Sequence, residues 1–233
     1  MDSAGIAGWH GKLPTLGDFA TRRLDPAFVS AWDDWLSQGL AALQQGPAWP
    51  EAYLDSPSWR FLLMPGALPG VPPGQAWAGV LMPSVDRVGR YYPLTIAQRL
   101  PALPATAAEV EALWTWLVRI DETAADALHD DWAIDQLEAE LQRQPLPPLG
   151  TAAAVPLPWQ GALLQPLDLG GRPHAGLLLA AQAATAWHAQ AQGLSFWSAH
   201  PEQQSARQFA ARSLHDAPLL ARLFGGSGDD NAG

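Results

Sequence analysis

Two short segments concentrate the side chains able to bind or react. One is Gly11-Lys-Leu-Pro-Thr-Leu-Gly-Asp-Phe19, the other Pro83-Ser-Val-Asp-Arg-Val-Gly-Arg90. Each follows a strand-like run and combines glycine, aspartate and a cation. Side by side, Lys12, Asp18, Asp86, Arg87 and Arg90 would make one charged network. Such a network either locks two loops together or recognises a partner, because the planar guanidinium fork suits carboxylates and phosphates. Gly17 can supply a positive φ, Asp18 can fold its side chain back on the main chain, and Gly89 hinges the second loop. The candidate partner-binding or loop-locking set is therefore Lys12, Gly17, Asp18, Phe19, Asp86, Arg87, Gly89, Arg90 and Tyr91. Read alone, the second loop fits a solvated connection as well as a site.

Catalysis has less behind it. His10 adjoins the first loop, so an acid–base couple with Asp18 is conceivable, with Arg87 holding a phosphorylated substrate. No third partner orients such a couple, and a lone histidine in a strand is more often a hydrogen-bonded structural residue. His129-Asp130-Asp131 has ligand chemistry, but neighbouring residues at a helix end rarely converge on one ion. The chain contains no Gly-x-x-x-x-Gly-Lys-Ser/Thr, Gly-x-Gly-x-x-Gly or Gly-x-Ser-x-Gly run. The residues predict no catalytic set, metal or cofactor.

The elements that must carry the two loops are readable from hydrophobic period. Residues 4–13 predict a first strand, and Ser58–Met64, Ala76–Met82 and Tyr92–Ala97 three more, spaced as an antiparallel meander. Pro83 ends the third run because it donates no N–H. Asp25 is a candidate N-cap with Pro26 at the first helical position. Phe28, Trp32, Trp35, Leu36, Leu40 and Leu43 then form one helical stripe. Pro50–Leu54 predicts a short helix, and Glu109–His129 a long one burying Val110, Leu113, Leu117, Ile120, Ala124 and Leu128. Further helices are expected over Trp132–Gln144, His174–Gln192 and Pro218–Phe224, with strands at Leu194–Ser198 and Arg207–Arg212. Residues 145–171 take no assignment. This order predicts a layered α/β domain over residues 1–224 and a flexible tail at 225–233.

Composition narrows the function. The chain has 233 residues, enough to bury a core unaided, and no cysteine, which removes disulfides and thiolate chemistry. Net charge is −10, and Lys12 is the only lysine among 13 basic residues. An acidic chain without a basic cluster argues against nucleic acid or an anionic membrane as partner. No apolar run approaches a membrane span and no signal peptide is evident, so a cytoplasmic location is expected. Most of the 12 tryptophans are expected to fill a core built otherwise from alanine and leucine.

Trp9-His-Gly-Lys-Leu-Pro-Thr-Leu-Gly-Asp-Phe19 resembles the N-terminal signature of the type VI secretion-associated TagF family. Leu81-Met-Pro-Ser-Val-Asp-Arg-Val-Gly-Arg-Tyr-Tyr-Pro-Leu-Thr95 resembles its second signature, and Trp32–Leu36, Ala52–Leu54 and Trp59–Phe61 fit the family's order and spacing. The match is specific over residues 5–98 and agrees mainly in position beyond them. The resemblance implies a single-domain three-layer αβα sandwich with a mixed, largely antiparallel central sheet. It also implies a non-enzymatic repressor of type VI secretion assembly, acting after translation through a forkhead-associated scaffold protein and opposing activation by threonine phosphorylation. Some relatives carry a fused PP2C-type phosphatase domain; with no Asp-Gly-x-Gly motif here, that activity is not expected to carry over. The family supplies no catalytic residues to transfer. Two alternatives stand beside the repressor: a hydrolase or phosphoester-acting enzyme using His10, Asp18 and Arg87, and a structural part of the secretion machine.

Overall fold

The computed structural model describes residues 5–16, 18–150, 175–199, 208–214 and 219–225, without the side chains of 175–181. The elements run β1 (Gly8–Gly11), β2 (Ala20–Arg22), α1 (Pro26–Leu43), α2 (Trp49–Leu54), β3 (Trp59–Leu63), β4 (Ala76–Met82), β5 (Leu94–Leu100), α3 (Ala107–His129), α4 (Ile134–Gln142), α5 (Ala175–Gln190), β6 (Leu194–Ala199), β7 (Gln208–Arg212) and α6 (Leu219–Phe224). The strands form one sheet in the order β2-β1-β5-β4-β3-β6-β7. Every pairing among the described strands is antiparallel, so the sheet is not mixed as the resemblance implied.

Side-chain alternation along the strands feeds two cores, one on each face. On β3, Trp59, Phe61 and Leu63 join Phe28, Trp32, Trp35 and Leu36 of α1 and Leu220 and Leu223 of α6. On the opposite face Trp9, Val80 and Ile96 meet Leu113, Leu117 and Ile120 of α3 and Leu137 and Leu141 of α4. The sheet is thus the middle of three layers. Asp25 caps α1 by accepting from Ala27 N at 2.9 Å, and Thr106 caps α3 by accepting from Glu109 N at 3.2 Å.

Five buried indoles find acceptors, while Trp77 Nε1 is buried with none among the described residues. Trp9 donates to Glu138, Trp32 to Thr95 Oγ1, Trp59 to the Leu223 carbonyl, Trp116 to the Gln144 carbonyl and Trp197 to Ser195 Oγ. Trp114 and Trp187 instead stay partly exposed.

Four expectations need correction. β2 falls between the first loop and Asp25, where no element was predicted; three residues are too few to show a period. The first strand is four residues, not ten, and ends at Gly11. Val110 is about half exposed because the buried stripe of α3 starts at Leu113 and runs through Trp116, Leu117, Ile120 and Ala124. The ladder of the last meander strand starts at Leu94 rather than Tyr92, with an isolated bridge joining Val85 to Tyr91 before it. Most of the unassigned 145–171 segment lies outside the described residues, as does the expected tail apart from Gly225.

Candidate functional site

The β1–β5 pairing sets Trp9 opposite Ile96 and His10 opposite Thr95, while β4–β5 sets Met82 opposite Leu94. The end of β1, the end of β4 and the start of β5 therefore share one edge of the sheet. The loops leaving them, 12–19 and 83–93, emerge side by side.

Asp86 is where they join. Its side chain is fully buried. Oδ2 accepts from Lys12 Nζ at 2.9 Å and Arg90 Nε at 2.7 Å; Oδ1 accepts from the backbone N–H of Val88 at 3.0 Å and Arg90 at 2.9 Å. Burial opposes ionisation, but these donors outweigh it and hold the carboxyl well below the usual carboxylate range. The turn itself closes through Gly89 N to the Asp86 carbonyl at 2.9 Å, with Gly89 at φ +78°.

A second set of bonds fastens the same loops. Ser84 Oγ donates to the Lys12 carbonyl at 3.0 Å. The Tyr53 hydroxyl, from α2, donates to the Ser84 carbonyl at 3.1 Å and accepts from Ser84 N at 3.0 Å. Arg87 Nη2 donates to the Thr15 carbonyl at 3.3 Å, and Thr15 Oγ1 donates to the Trp132 carbonyl at 2.8 Å. Lys12 Nζ also lies 4.7 Å from the Phe19 ring centroid, a cation–π contact. Tyr91 packs edge-on against Trp49 and Tyr53.

Of the predicted residues, Lys12, Asp86 and Arg90 form the buried ionic centre, and Arg87 joins the first loop through a carbonyl rather than a carboxylate. Asp18 does not enter the network. Its Oδ1 accepts from Phe19 N at 2.8 Å, an exposed local turn. Gly17 lies outside the described residues. The exposed rim consists of Phe19, at 47% of its full exposure, Val88, at 70%, and the Arg87 side chain.

His10 does not pair with Asp18. Nδ1 lies 2.7 Å from Thr21 Oγ1, Nε2 lies 3.3 Å from the Tyr92 hydroxyl, and Asp33 Oδ1 is 3.7 Å away. Tyr92 donates to Asp33 Oδ1 at 2.5 Å. Its oxygen can then accept from His10 Nε2–H, leaving Nδ1 to accept from Thr21, which assigns the neutral tautomer from the network. Burial holds the His10 pKa below its ordinary value, and Asp33 opposes that only in part. The unfolded chain therefore binds this proton first, near pH 6.5, so stability falls as pH drops below about 6.5. Melting temperatures at pH 7.5 and 5.5 should differ more for the native chain than for His10→Gln; equal differences would remove His10 from this role.

Gly11 allows the loops to approach. Its φ is +130°, and an added Cβ would strike the Pro93 carbonyl oxygen. Gly11→Ala should destabilise by about 1–3 kcal/mol from backbone strain alone, seen as a lower denaturation midpoint. An unchanged midpoint would contradict this close approach.

A buried ionic pair carried no prediction from the sequence. Arg60 on β3 and Asp121 on α3 are both buried, with Nε 3.3 Å from Oδ2, and Arg60 Nη2 donates to the Ala199 carbonyl at 3.3 Å. A signal was available: Arg60 alternates with Trp59 and Phe61 in a strand with both faces covered. Among the described residues no three of His, Cys, Asp or Glu converge as a metal site, and His129, Asp130 and Asp131 are each exposed.

A family model described as the TagF N-terminal domain, type VI secretion system-associated, matches residues 8–144. The chain belongs to the TagF family. The matched span contains both loops, the Lys12–Asp86–Arg90 centre and the Arg60–Asp121 pair. This TagF-family chain is also similar to the crystal structure of PA0076 from Pseudomonas aeruginosa PAO1, with 34% identity, 96% of each chain covered and a TM-score of 0.73. No curated protein matches it. The chain is thus a type VI secretion-associated protein with a seven-stranded α/β fold, and none of its described helices is long and apolar enough to cross a membrane.

Proposed function

We propose that this TagF-family chain is a cytoplasmic, non-enzymatic repressor of type VI secretion assembly that acts after translation by binding a forkhead-associated scaffold protein. The observation that carries the reading is the buried Lys12–Asp86–Arg90 centre. It commits Lys12, Asp86 and Arg90 to each other, and so fixes two loops as one unit that displays Phe19, Arg87 and Val88. A rigid rim with exposed apolar groups beside a cation is suited to protein recognition, since little entropy is lost on docking. His10 is engaged by Thr21, Tyr92 and Asp33, which favours a structural role over an acid–base one.

The test is co-purification from a secreting bacterium, paired with deletion. The scaffold should be retained by the native chain, and deletion should raise secretion without changing transcript levels of the apparatus. Retention of no secretion component, with secretion unchanged on deletion, would overturn the proposal. Stoichiometric recovery with assembled sheath or baseplate would replace it with a structural role.

A further inference from the structure

A second feature lies away from the loop rim. It is an open cleft of about 840 Å³ between the α2–β3 connection, the end of β4 and the C-terminal half of α3. Its lining divides by chemistry. Leu54, Met82 and Leu128 supply apolar surface, and Leu54 is half exposed although it is a large aliphatic side chain. Glu122 and Asp126, one helical turn apart on α3, are exposed along the wall. Asp121 lies beneath them, its charge matched by Arg60. Among the described residues no lysine or arginine lines the cleft, and its histidine, His129, is exposed at the α3 C-terminus. That end also carries the negative pole of a 23-residue helix.

This combination suits a cationic head on an aliphatic stem. An apolar ligand would leave Glu122 and Asp126 desolvated against it, and a bare cation would find no converging ligands. An arginine side chain matches both parts: its aliphatic stem covers apolar surface while its guanidinium reaches a carboxylate.

We infer that this cleft is a docking surface for an arginine-bearing segment of a partner protein, with stems on Leu54, Met82 and Leu128 and guanidinium groups against Glu122 and Asp126. The inference concerns a surface separate from the loop rim and does not rest on the repressor reading.

Three capped heptapeptides test it by amide chemical-shift titration of the full chain: one alternating arginine with leucine, one alternating glutamate with leucine, and one alternating arginine with serine. The arginine–leucine peptide should shift amides around Leu54, Met82 and residues 121–129 and bind at least about tenfold tighter than either other peptide. The double charge reversal E122K/D126K should weaken it about tenfold or more with the melting temperature unchanged, whereas E111K, an exposed acid at the far end of α3, should not. Equal weakening by E111K would mean non-specific attraction to an acidic chain and would overturn the inference. So would shifts confined to other residues, shifts at the cleft caused by magnesium or calcium but not by peptide, or cleft shifts that follow protein concentration without peptide, which would indicate a second copy.

Discussion

Asp86→Ala should lower the melting temperature by on the order of 10 °C and loosen both loops together. The carboxylate accepts four hydrogen bonds, two of them from cations. Its removal leaves the Lys12 ammonium, only 2% exposed, buried without its counter-charge. An uncompensated buried charge costs far more than the pair contributes, and that asymmetry sets the size of the effect. Arg90→Ala is the internal control. Its side chain is half exposed, so its loss should cost no more than about 1 kcal/mol. Amide exchange locates the effect: in Asp86→Ala the amides of 12–16 and 84–92 should both exchange faster, while those of β3 and β4 change least. Faster exchange in one loop alone would mean that the loops are not coupled through Asp86.

Acid acts on the same centre. Above pH ~4 the carboxyl is ionised in both states. As pH falls below that, the unfolded chain takes up the proton first, because the folded group is held well below the usual range. The contribution of Asp86 is therefore present above about pH 4 and lost progressively in stronger acid. His10 begins its loss earlier, below about pH 6.5, so the two groups predict acid sensitivity in two stages.

Asp121→Ala should be the second large loss, about 3–5 kcal/mol, for the same reason at a different place. It strands the Arg60 guanidinium between β3 and α3, where the remaining contacts among the described residues include the Ala199 carbonyl and the Trp114 ring, 5.6 Å from the guanidinium carbon. The paired replacement Arg60→Met with Asp121→Leu should recover most of that stability, because apolar side chains of similar volume remove both charges at once. Chemical denaturation of the two single variants and the double variant closes the cycle. A double variant no more stable than Asp121→Ala would mean that the pair itself, rather than the cost of an orphaned charge, holds α3 on the sheet.

What the sequence discloses follows the range of the interactions. α1 was legible in full, because Asp25, Pro26 and the Phe28-to-Leu43 stripe are local signals that packing did not override. The meander of β3, β4 and β5 was legible for the same reason. The placement of β1 beside β5, and of β6 beside β3, had no local signal, since those neighbours lie far apart in the chain. That non-local pairing is what sets the two charged loops together. The kinship of the loops in composition hinted at it, and in the structure Lys12 and Arg90 both donate to Asp86. Asp18 was placed in the network wrongly: an aspartate next to a loop amide satisfies itself more cheaply by a local turn than by reaching across. Asp33 was hidden for another reason. It lies on a helix read only for its apolar stripe, although its polar face turns toward Tyr92 and His10.

The proposed role has the locked loops hold a recognition rim for the forkhead-associated scaffold. The most direct measurement is the affinity of the purified full-length scaffold for three forms of this chain: native, the rim variant Arg87→Glu/Val88→Asp, and Asp86→Ala. The rim variant should lose only the exposed bond from Arg87 to the Thr15 carbonyl, no more than about 1 kcal/mol, and bind at least about tenfold more weakly, because both changes fall on exposed side chains. Asp86→Ala should lose stability and affinity together. Native affinity in the rim variant, or no measurable binding by the native chain, would contradict the account.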